Sequence, residues 1–431
     1  MVVKLSIGAS RGVLLLSLAV FCVLAYFSIR NARAQHAIGL NTRAGYERAV
    51  RLEPGDAHNW YLLGRSYQYD FEQPDPRAAL NAFLVARSLN PHSIDTLLDL
   101  AANYEEAGNA GEARASYLEA KRIYPFSADV HWSYGNFLLR QNEIPDALLE
   151  LRKSLELDPK RSAEAFSRCL RVVPTTTEIL DKVIPPDMQA HLDILLDLAN
   201  SGQLDIATQV WAHANLLPAN VKLGDIAVLA NALLQKNRPA DAALLWQQAT
   251  QKLEKPPPPD IPGSVLWDGG FEAPPVAYGG LGWRYGSGVK GVQIATDPQE
   301  KHSGAQSLRL LFAGRTNVAF SDVCHTVIVD PGKSYQLSAW IRTKGLTTDQ
   351  GLRLVLYSNL TGKMSAVFTP DVHGDEPWTP VSLLWTAPAD AHTALVCVAR
   401  NQSESSDNEI AGLAWVDDVA LVPLAAERSI R

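Results

Sequence analysis

The sequence predicts a multidomain α + β chain: an N-terminal transmembrane helix, an α-solenoid of paired helices, and a C-terminal all-β sandwich. Three observations carry this. Residues 13–29 (VLLLSLAVFCVLAYFSI) hold no charge. Pro91, Pro125 and Pro159 stand 34 residues apart, and a fixed interval of that size marks stacked helical repeats. Beyond Gly263, apolar side chains recur at every second residue, the period of a strand with one buried face. At 431 residues the chain also exceeds what one hydrophobic core supports.

Composition narrows the classes of function. There are 39 Lys and Arg against 46 Asp and Glu, a net charge of −7, so no basic footprint for nucleic acid exists. The four cysteines, Cys22, Cys169, Cys324 and Cys397, form no CxxC pair, which argues against a cysteine-based zinc site.

The apolar run comes first. Seventeen residues of helix reach about 25 Å, the short end of what spans a bilayer. Lys4 and Arg11 precede the run; Arg30, Arg33, Arg43, Arg48 and Arg51 follow it. Ala32-Arg33-Ala34 fits a small-x-small cleavage pattern, which would release a secreted chain beginning at Gln35. The run is long for a signal peptide and arginines crowd that pattern, so the expectation is an uncleaved signal anchor over residues 1–34. Arginine count alone would keep the bulk of the chain cytoplasmic. The short N-terminal tail and the character of the second half favour a periplasmic or otherwise extracytoplasmic bulk.

The repeats follow. Ala79, Phe83 and Ala86 lead to Pro91; Ala113, Tyr117 and Ala120 to Pro125; Ala147, Leu151 and Ser154 to Pro159. Each of these helices has another before it, the first reading Trp60-Tyr61-Leu62-Leu63-Gly64-Arg65-Ser66-Tyr67. This pattern resembles the tetratricopeptide repeat (TPR), strongly over residues 35–159. Residues 160–186 break the period. Two degenerate pairs follow, in which Ala207, Trp211 and Ala214 recur as Ala242, Trp246 and Ala249, closing the segment 160–254. The resemblance implies an unidentified protein partner held on the solenoid. Trp60, Tyr67, Tyr104, Tyr117, Trp211 and Trp246 occupy periodic packing positions. Asn59, Arg65, Asn103, His131 and Asn136 are the candidates for an exposed binding face.

Residues 255–263 (KPPPPDIPG) read as a semi-rigid spacer. Alternation then marks strands at 307–312, 335–342, 352–357 and 395–399. Residues 264–424, ahead of a short tail at 425–431, open on Trp267-Asp268-Gly269-Gly270-Phe271-Glu272. They continue through His302-Ser303-Gly304-Ala305-Gln306-Ser307-Leu308 and Pro331-Gly332-Lys333-Ser334-Tyr335, and close on Trp415-Val416-Asp417-Asp418-Val419. That ordered set resembles the jelly-roll carbohydrate-binding modules of the family 4/9, cellulose-module type, with Asp268 where an asparagine is usual. The resemblance implies a structural calcium ion with Glu272 and Asp418 as side-chain ligands; hard oxygen donors suit that cation. It also implies a glycan stacked on exposed rings. By strand parity Trp340 and Tyr357 point away from Leu352, Leu354 and Leu356, with Arg342 and Arg353 beside them. These four residues form the expected polysaccharide-binding surface.

Other signals fail on context. Gly8-Ala9-Ser10-Arg11-Gly12 spells a nucleophile elbow but precedes an apolar helix rather than following a strand. Gly286-Ser287-Gly288-Val289-Lys290-Gly291 has no helix after it. Gly332-Lys333-Ser334 lacks the upstream glycine of a phosphate loop. Adjacent Asp417 and Asp418 diverge on a strand and cannot flank one glycosidic bond. No catalytic constellation emerges. Cys324 and Cys397 are expected as buried thiols, with pairing open in an oxidising compartment. The expected function is a non-enzymatic membrane scaffold, placed in exopolysaccharide or cell-envelope assembly. The alternative is a structural adaptor whose sandwich contacts protein and binds no glycan.

Overall fold

The computed structural model describes residues 7–257, 261–286, 288–360 and 363–425. Lys4, residues 258–260 of the proline run, Ser287 of the rejected glycine motif and the tail from residue 426 lie outside the described residues. The chain divides into two compact units. One holds the residues up to 174 with 181–185; the other holds 175–180 and everything from 186 onward.

The first unit begins with α1 (Ile7–Ile38), a single helix of 32 residues. Its apolar stretch lies bare on the surface, and residues 11–38 are long and apolar enough to cross a membrane. The sequence placed a boundary at Ala34, but the helix runs through it. Residues 30–38 (RNARAQHAI) are mostly good helix formers, and Gly39 is the first breaker. Their inner face pairs with α2 (Arg43–Leu52): Ala34 and Ala37 are buried against Ala49. The end of the apolar helix is therefore also the first helix of the first repeat.

Three full pairs follow: α3 (Ala57–Gln68) with α4 (Pro76–Leu89), α5 (Ile94–Glu106) with α6 (Ala110–Ile123), and α7 (Ala128–Arg140) with α8 (Ile144–Leu157). Side chains cap several starts. Asp75 accepts from the Ala78 amide at 3.0 Å ahead of α4, and Ser93 from Thr96 ahead of α5; each satisfies a backbone donor the helix leaves free. Pro91, Pro125 and Pro159 each fall just past the second helix of a pair, as the sequence predicted. The small residues explain the closeness of packing. A Cβ on Gly64 would lie 2.6 Å from the Phe83 ring, so only glycine lets α3 meet α4 there. Ala79, Phe83, Ala86, Ala113 and Leu151 are fully buried. The irregular joint holds α9 (Ser162–Cys169) and α10 (Thr176–Lys182).

The second unit contains α11 (Met188–Asn200), α12 (Leu204–Ala214), α13 (Leu223–Gln235) and α14 (Pro239–Thr250), followed by the sandwich. The proline run was read as the divide between helical and β parts; the compact unit extends across it. Trp246 of α14 meets Trp267 edge to face at 5.9 Å. A Cβ on Gly280 would lie 2.5 Å from that same Trp246 ring, and Asn231 of α13 donates to the Tyr278 carbonyl at 2.7 Å. The last two helices thus pack on the opening segment of the sandwich.

Ten strands build two antiparallel sheets: β1 (Trp283–Tyr285), β2 (Val292–Asp297), β3 (Ser307–Ala313), β4 (Phe320–Ile328), β5 (Ser334–Leu346), β6 (Arg353–Leu360), β7 (Lys363–Phe368), β8 (Gly374–Thr386), β9 (Thr393–Arg400) and β10 (Ala411–Pro423). The first sheet has order β1-β4-β9-β6-β7, the second β2-β3-β10-β5-β8. Leu337, Ala339 and Ile341 of β5 meet Leu354 and Leu356 of β6 and Val396 and Val398 of β9 in the core between them. Cys324 of β4 and Cys397 of β9 stand directly opposite in the register and form a disulfide. This corrects the expectation of free thiols: the pairing depends on a register between strands 73 residues apart. Among the described residues Cys22 and Cys169 are the free thiols.

Candidate functional site

The sandwich presents its chemistry on the outer face of the second sheet. Inward residues of β5 alternate with Trp340 and Arg342, which face out. Arg342 lies over the Trp415 ring of β10 at 6.0 Å and reaches Glu300 at 3.3 Å. Trp415 donates its indole proton to Asp297 at 3.0 Å, and Arg309 of β3 approaches the same carboxylate at 3.8 Å. Trp378 of β8 completes the aromatic set. The His302 ring stacks flat on Trp340, with centroids 4.1 Å apart, and turns its edge to Trp378 at 5.8 Å.

The loop carrying His302 is fastened by acids from both ends of the domain. A bulge follows Asp417 in β10, and Asp418 takes a left-handed backbone at φ 52°. Asp417 shares the outer face of its register partner Trp340 and is fully buried beneath this loop, its carboxylate accepting from the amides of His302 (2.8 Å), Ser303 (3.1 Å) and Asp418 (2.8 Å). Burial pushes the Asp417 carboxyl up to about 6, with neighbouring Asp418 adding to the rise and the His302, Ser303 and Asp418 amides opposing it. Asp418 holds His302 Nδ1 and Ser303 Oγ, both at 2.6 Å. Glu272 accepts from the Ala305 amide at 2.6 Å.

This geometry bears on two expectations. Glu272 and Asp418 both bond the 302–306 segment, Asp418 through the His302 and Ser303 side chains and Glu272 through the Ala305 and Gln306 amides. Asp417 also lies close by: a Cβ on Gly270 would lie 3.6 Å from an Asp417 oxygen and 3.7 Å from a Glu272 oxygen. Among the described residues no three His, Cys, Asp or Glu side chains gather as a metal site, so a cation there would draw on backbone carbonyls as well. Nor do the four expected glycan residues share a surface. Trp340 and Arg342 belong to the second sheet; Tyr357 and Arg353 belong to β6 of the first. The chain crosses between sheets after Leu346, so outward parity puts the two pairs on opposite sides of the sandwich. Arg353 is bonded to Gln350 at 3.0 Å and paired with Asp371 at 3.2 Å, and Tyr357 packs beside the disulfide. His302, Trp378, Trp415, Glu300 and Asp297 were missed as site residues. Two of the quoted motifs contain His302 and Trp415, but there they served only as markers of the fold.

Asp418, His302 and Ser303 have the residue types of a hydrolytic triad without its connectivity. Serine and imidazole both bond the carboxylate, whereas a triad needs the serine on the imidazole.

In the helical unit, four of the five candidate partner residues are buried: Asn59, Asn103, His131 and Asn136. Asn103 donates to the Pro76 carbonyl at 3.1 Å, and His131 bonds Glu150 at 2.6 Å and the Pro125 carbonyl at 2.9 Å. Arg65 remains accessible. It lies over the Tyr61 and Tyr69 rings and pairs with Asp99 at 3.5 Å. Burial raises the Asp99 carboxyl above its ordinary range, against the Tyr69, Tyr61 and Arg65 contacts that lower it.

No protein-family model and no curated protein matches the chain. Solved structures similar to it include YrrB, described as a TPR protein with an unusual peptide-binding site: 16% identity over 49% of this chain and 93% of that one, TM-score 0.26. The CBM22-1–GH10 modules of Clostridium thermocellum xylanase 10B, complexed with xylohexaose, match at 15% identity over 33% of this chain, TM-score 0.26; only 26% of that longer chain is spanned. A family 16 carbohydrate-binding module matches at 16% identity over 37% of this chain and 99% of its own, TM-score 0.26. No family and no residue role is carried across to this chain at this identity and TM-score.

Proposed function

We propose that the chain is a non-enzymatic, membrane-anchored scaffold whose solenoid holds a protein partner and whose sandwich binds polysaccharide, in exopolysaccharide or cell-envelope assembly. The observation that carries it is the outward platform of Trp340, Trp378 and Arg342 on the second sheet, with Glu300 and Asp297 beside it. Rings that take the C–H face of a sugar, next to charged groups that bond its hydroxyls, are what glycan recognition needs. The anchor is retained in this reading, since cleavage after Ala34 would cut inside the first helix pair. The Cys324–Cys397 disulfide supports an extracytoplasmic bulk, where such bonds persist. Glu272 and Asp418, with carbonyl oxygens, are the donors that would hold a structural calcium ion.

The test is affinity electrophoresis of residues 30–431 through gels of envelope polysaccharides, with calcium or with chelator, beside Trp340→Ala and Trp378→Ala. Retardation by one polymer, lost in either variant, is the expected result. A second reading, the adaptor without glycan affinity, is favoured by His302, which lies on the ring face of Trp340 that a sugar would take. Unretarded migration in every polymer would establish that reading instead. Calcium is expected to raise the melting temperature of wild type but not of Glu272→Gln.

A further inference from the structure

At the foot of the apolar helix, α1 and α2 enclose a cavity of about 320 Å³ lined by Ile29, Ala32, Arg33, His36, Leu40 and Arg48. Five arginines follow the uncharged run, and the structure sorts them. Arg30 pairs with Glu53 at 2.8 Å, Arg43 with Asp70 at 2.5 Å, and Arg51 with Glu47 at 3.9 Å. Arg33 and Arg48 have no carboxylate or hydrogen-bond partner among the described residues, and these two line the cavity. Its remaining walls are His36 and the apolar Ile29, Ala32, Ala37 and Leu40; Ile29 ends the uncharged run, and Leu40 is 54% exposed.

Depth identifies the occupant. Tyr26 and Phe27 stand exposed at the end of the run, with Arg30 over both rings, the arrangement of an interfacial aromatic belt. Each residue beyond it rises about 1.5 Å, and the headgroup layer of one leaflet is roughly 5–7 Å thick. With Ile29, the last residue of the uncharged run, at the edge of the hydrocarbon, Arg33 lies about 6 Å beyond it, at headgroup level. Two unpaired guanidiniums converge on a cavity whose other walls, His36 apart, are apolar. A molecule that satisfies both carries a phosphate, which arginine binds with two parallel hydrogen bonds, joined to a hydrocarbon chain.

We propose that this cavity binds the phosphate headgroup of an anionic glycerophospholipid, held by Arg33 and Arg48 with its acyl chain along Ile29. The assignment rests on α1 spanning the membrane as proposed above. Carbonate extraction tests that premise separately: release of the chain into the soluble fraction would remove the anchoring reading itself.

The lipid site is tested on the full chain, purified in non-ionic detergent and incubated with equimolar phosphatidylglycerol and phosphatidylcholine, with retained lipid counted by native mass spectrometry. Wild type should keep phosphatidylglycerol preferentially. Arg33→Gln with Arg48→Gln should lower that retention roughly 30-fold and leave phosphatidylcholine unchanged, while Arg51→Gln behaves as wild type. Both cavity arginines are exposed, so the double variant should melt with wild type; Arg33→Lys with Arg48→Lys, which keeps the charge, should retain part of the preference. Equal retention of the two lipids by wild type, or undiminished phosphatidylglycerol on the double variant, overturns the proposal. Displacement of the lipid by millimolar inorganic phosphate would overturn it as well, making this a site for the free anion.

Discussion

Breaking the Cys324–Cys397 disulfide should destabilise the second unit by a calculable amount. The bond closes a loop of 73 residues. Releasing that loop in the unfolded chain is worth about 4.4 kcal/mol on the chain-entropy relation, an upper value since unfolded chains keep some structure. In a unit of roughly 250 residues, each kcal/mol moves the melting temperature by about 2–4 °C, so reduction should lower it by about 9–18 °C. Alanine at both positions is a poorer probe, because the sulfurs pack with Val355 and Ala399 and truncation adds a cavity cost. The assay is thermal unfolding followed by tryptophan fluorescence, on oxidised and reduced wild type, with alkylated peptides reporting which thiols are free. Cys169 should alkylate only after unfolding, since it is buried. Alkylation of Cys324 and Cys397 in unreduced, unfolded protein would refute the pairing. Coincident melts of oxidised and reduced protein would refute the loop-entropy reasoning.

Three further outcomes are expected. Gly64→Ala should cost about 1–3 kcal/mol in a urea titration of the helical unit, because its methyl would sit 2.6 Å from the Phe83 ring; an unchanged midpoint would mean the α3–α4 contact is looser than described. Burial holds His325 down at about 4, against the nearby backbone of Thr326, Trp267 and Leu281, which raises it. Its folded value lies below the unfolded one of about 6.5, so its stabilising contribution is complete above that pH and is lost as pH falls toward 4, about 3 kcal/mol in all. His325→Leu should flatten that stretch of the stability–pH curve, and a curve of unaltered slope would count against the assignment. Arg400 is buried and donates to Gln350 O and Thr348 Oγ1, each at 3.0 Å, and to Val318 O. Arg400→Met strands these acceptors and should cost about 2–4 kcal/mol by chemical denaturation; a loss under 1 kcal/mol would show that water replaces the guanidinium.

The solenoid was legible because its grammar is local: prolines at a fixed interval and small residues where helices meet. The first pair was not, since residues 30–38 have neither the tryptophan nor the glycine of the pattern and adjoin an apolar run that announces something else. Strand parity correctly sent Trp340 and Tyr357 outward. It could not assign them to a sheet, because alternation encodes in or out and not the crossover between β5 and β6. The burial of Asp417 rather than Asp418 has a similar origin. A bulge and one left-handed residue decide which carboxylate is buried, and neither has a side-chain signature. The disulfide depends on the register of β4 with β9, which is a long-range property. The excess of arginine after the apolar run also reads differently with partners in view. Arg30, Arg43 and Arg51 carry their own counter-ions, so the charge opposing translocation is smaller than the count implies.

The ion pairs between successive repeats bear on how the solenoid deforms. Arg65 to Asp99, Arg87 to Glu119, Lys121 to Glu150 and Arg140 to Glu105 each join corresponding helices of neighbouring pairs. Glu150 is buried; the other three pairs keep an exposed cation, and pairs of that kind add little stability. Any bend or stretch of the array must nevertheless open them before it disturbs the buried alanines and leucines inside each pair. They set the elastic modulus of the array rather than its melting point. Raising ionic strength from 0.1 to 1 M shrinks the screening length from about 10 to about 3 Å, which softens the spring while each coil keeps its helices.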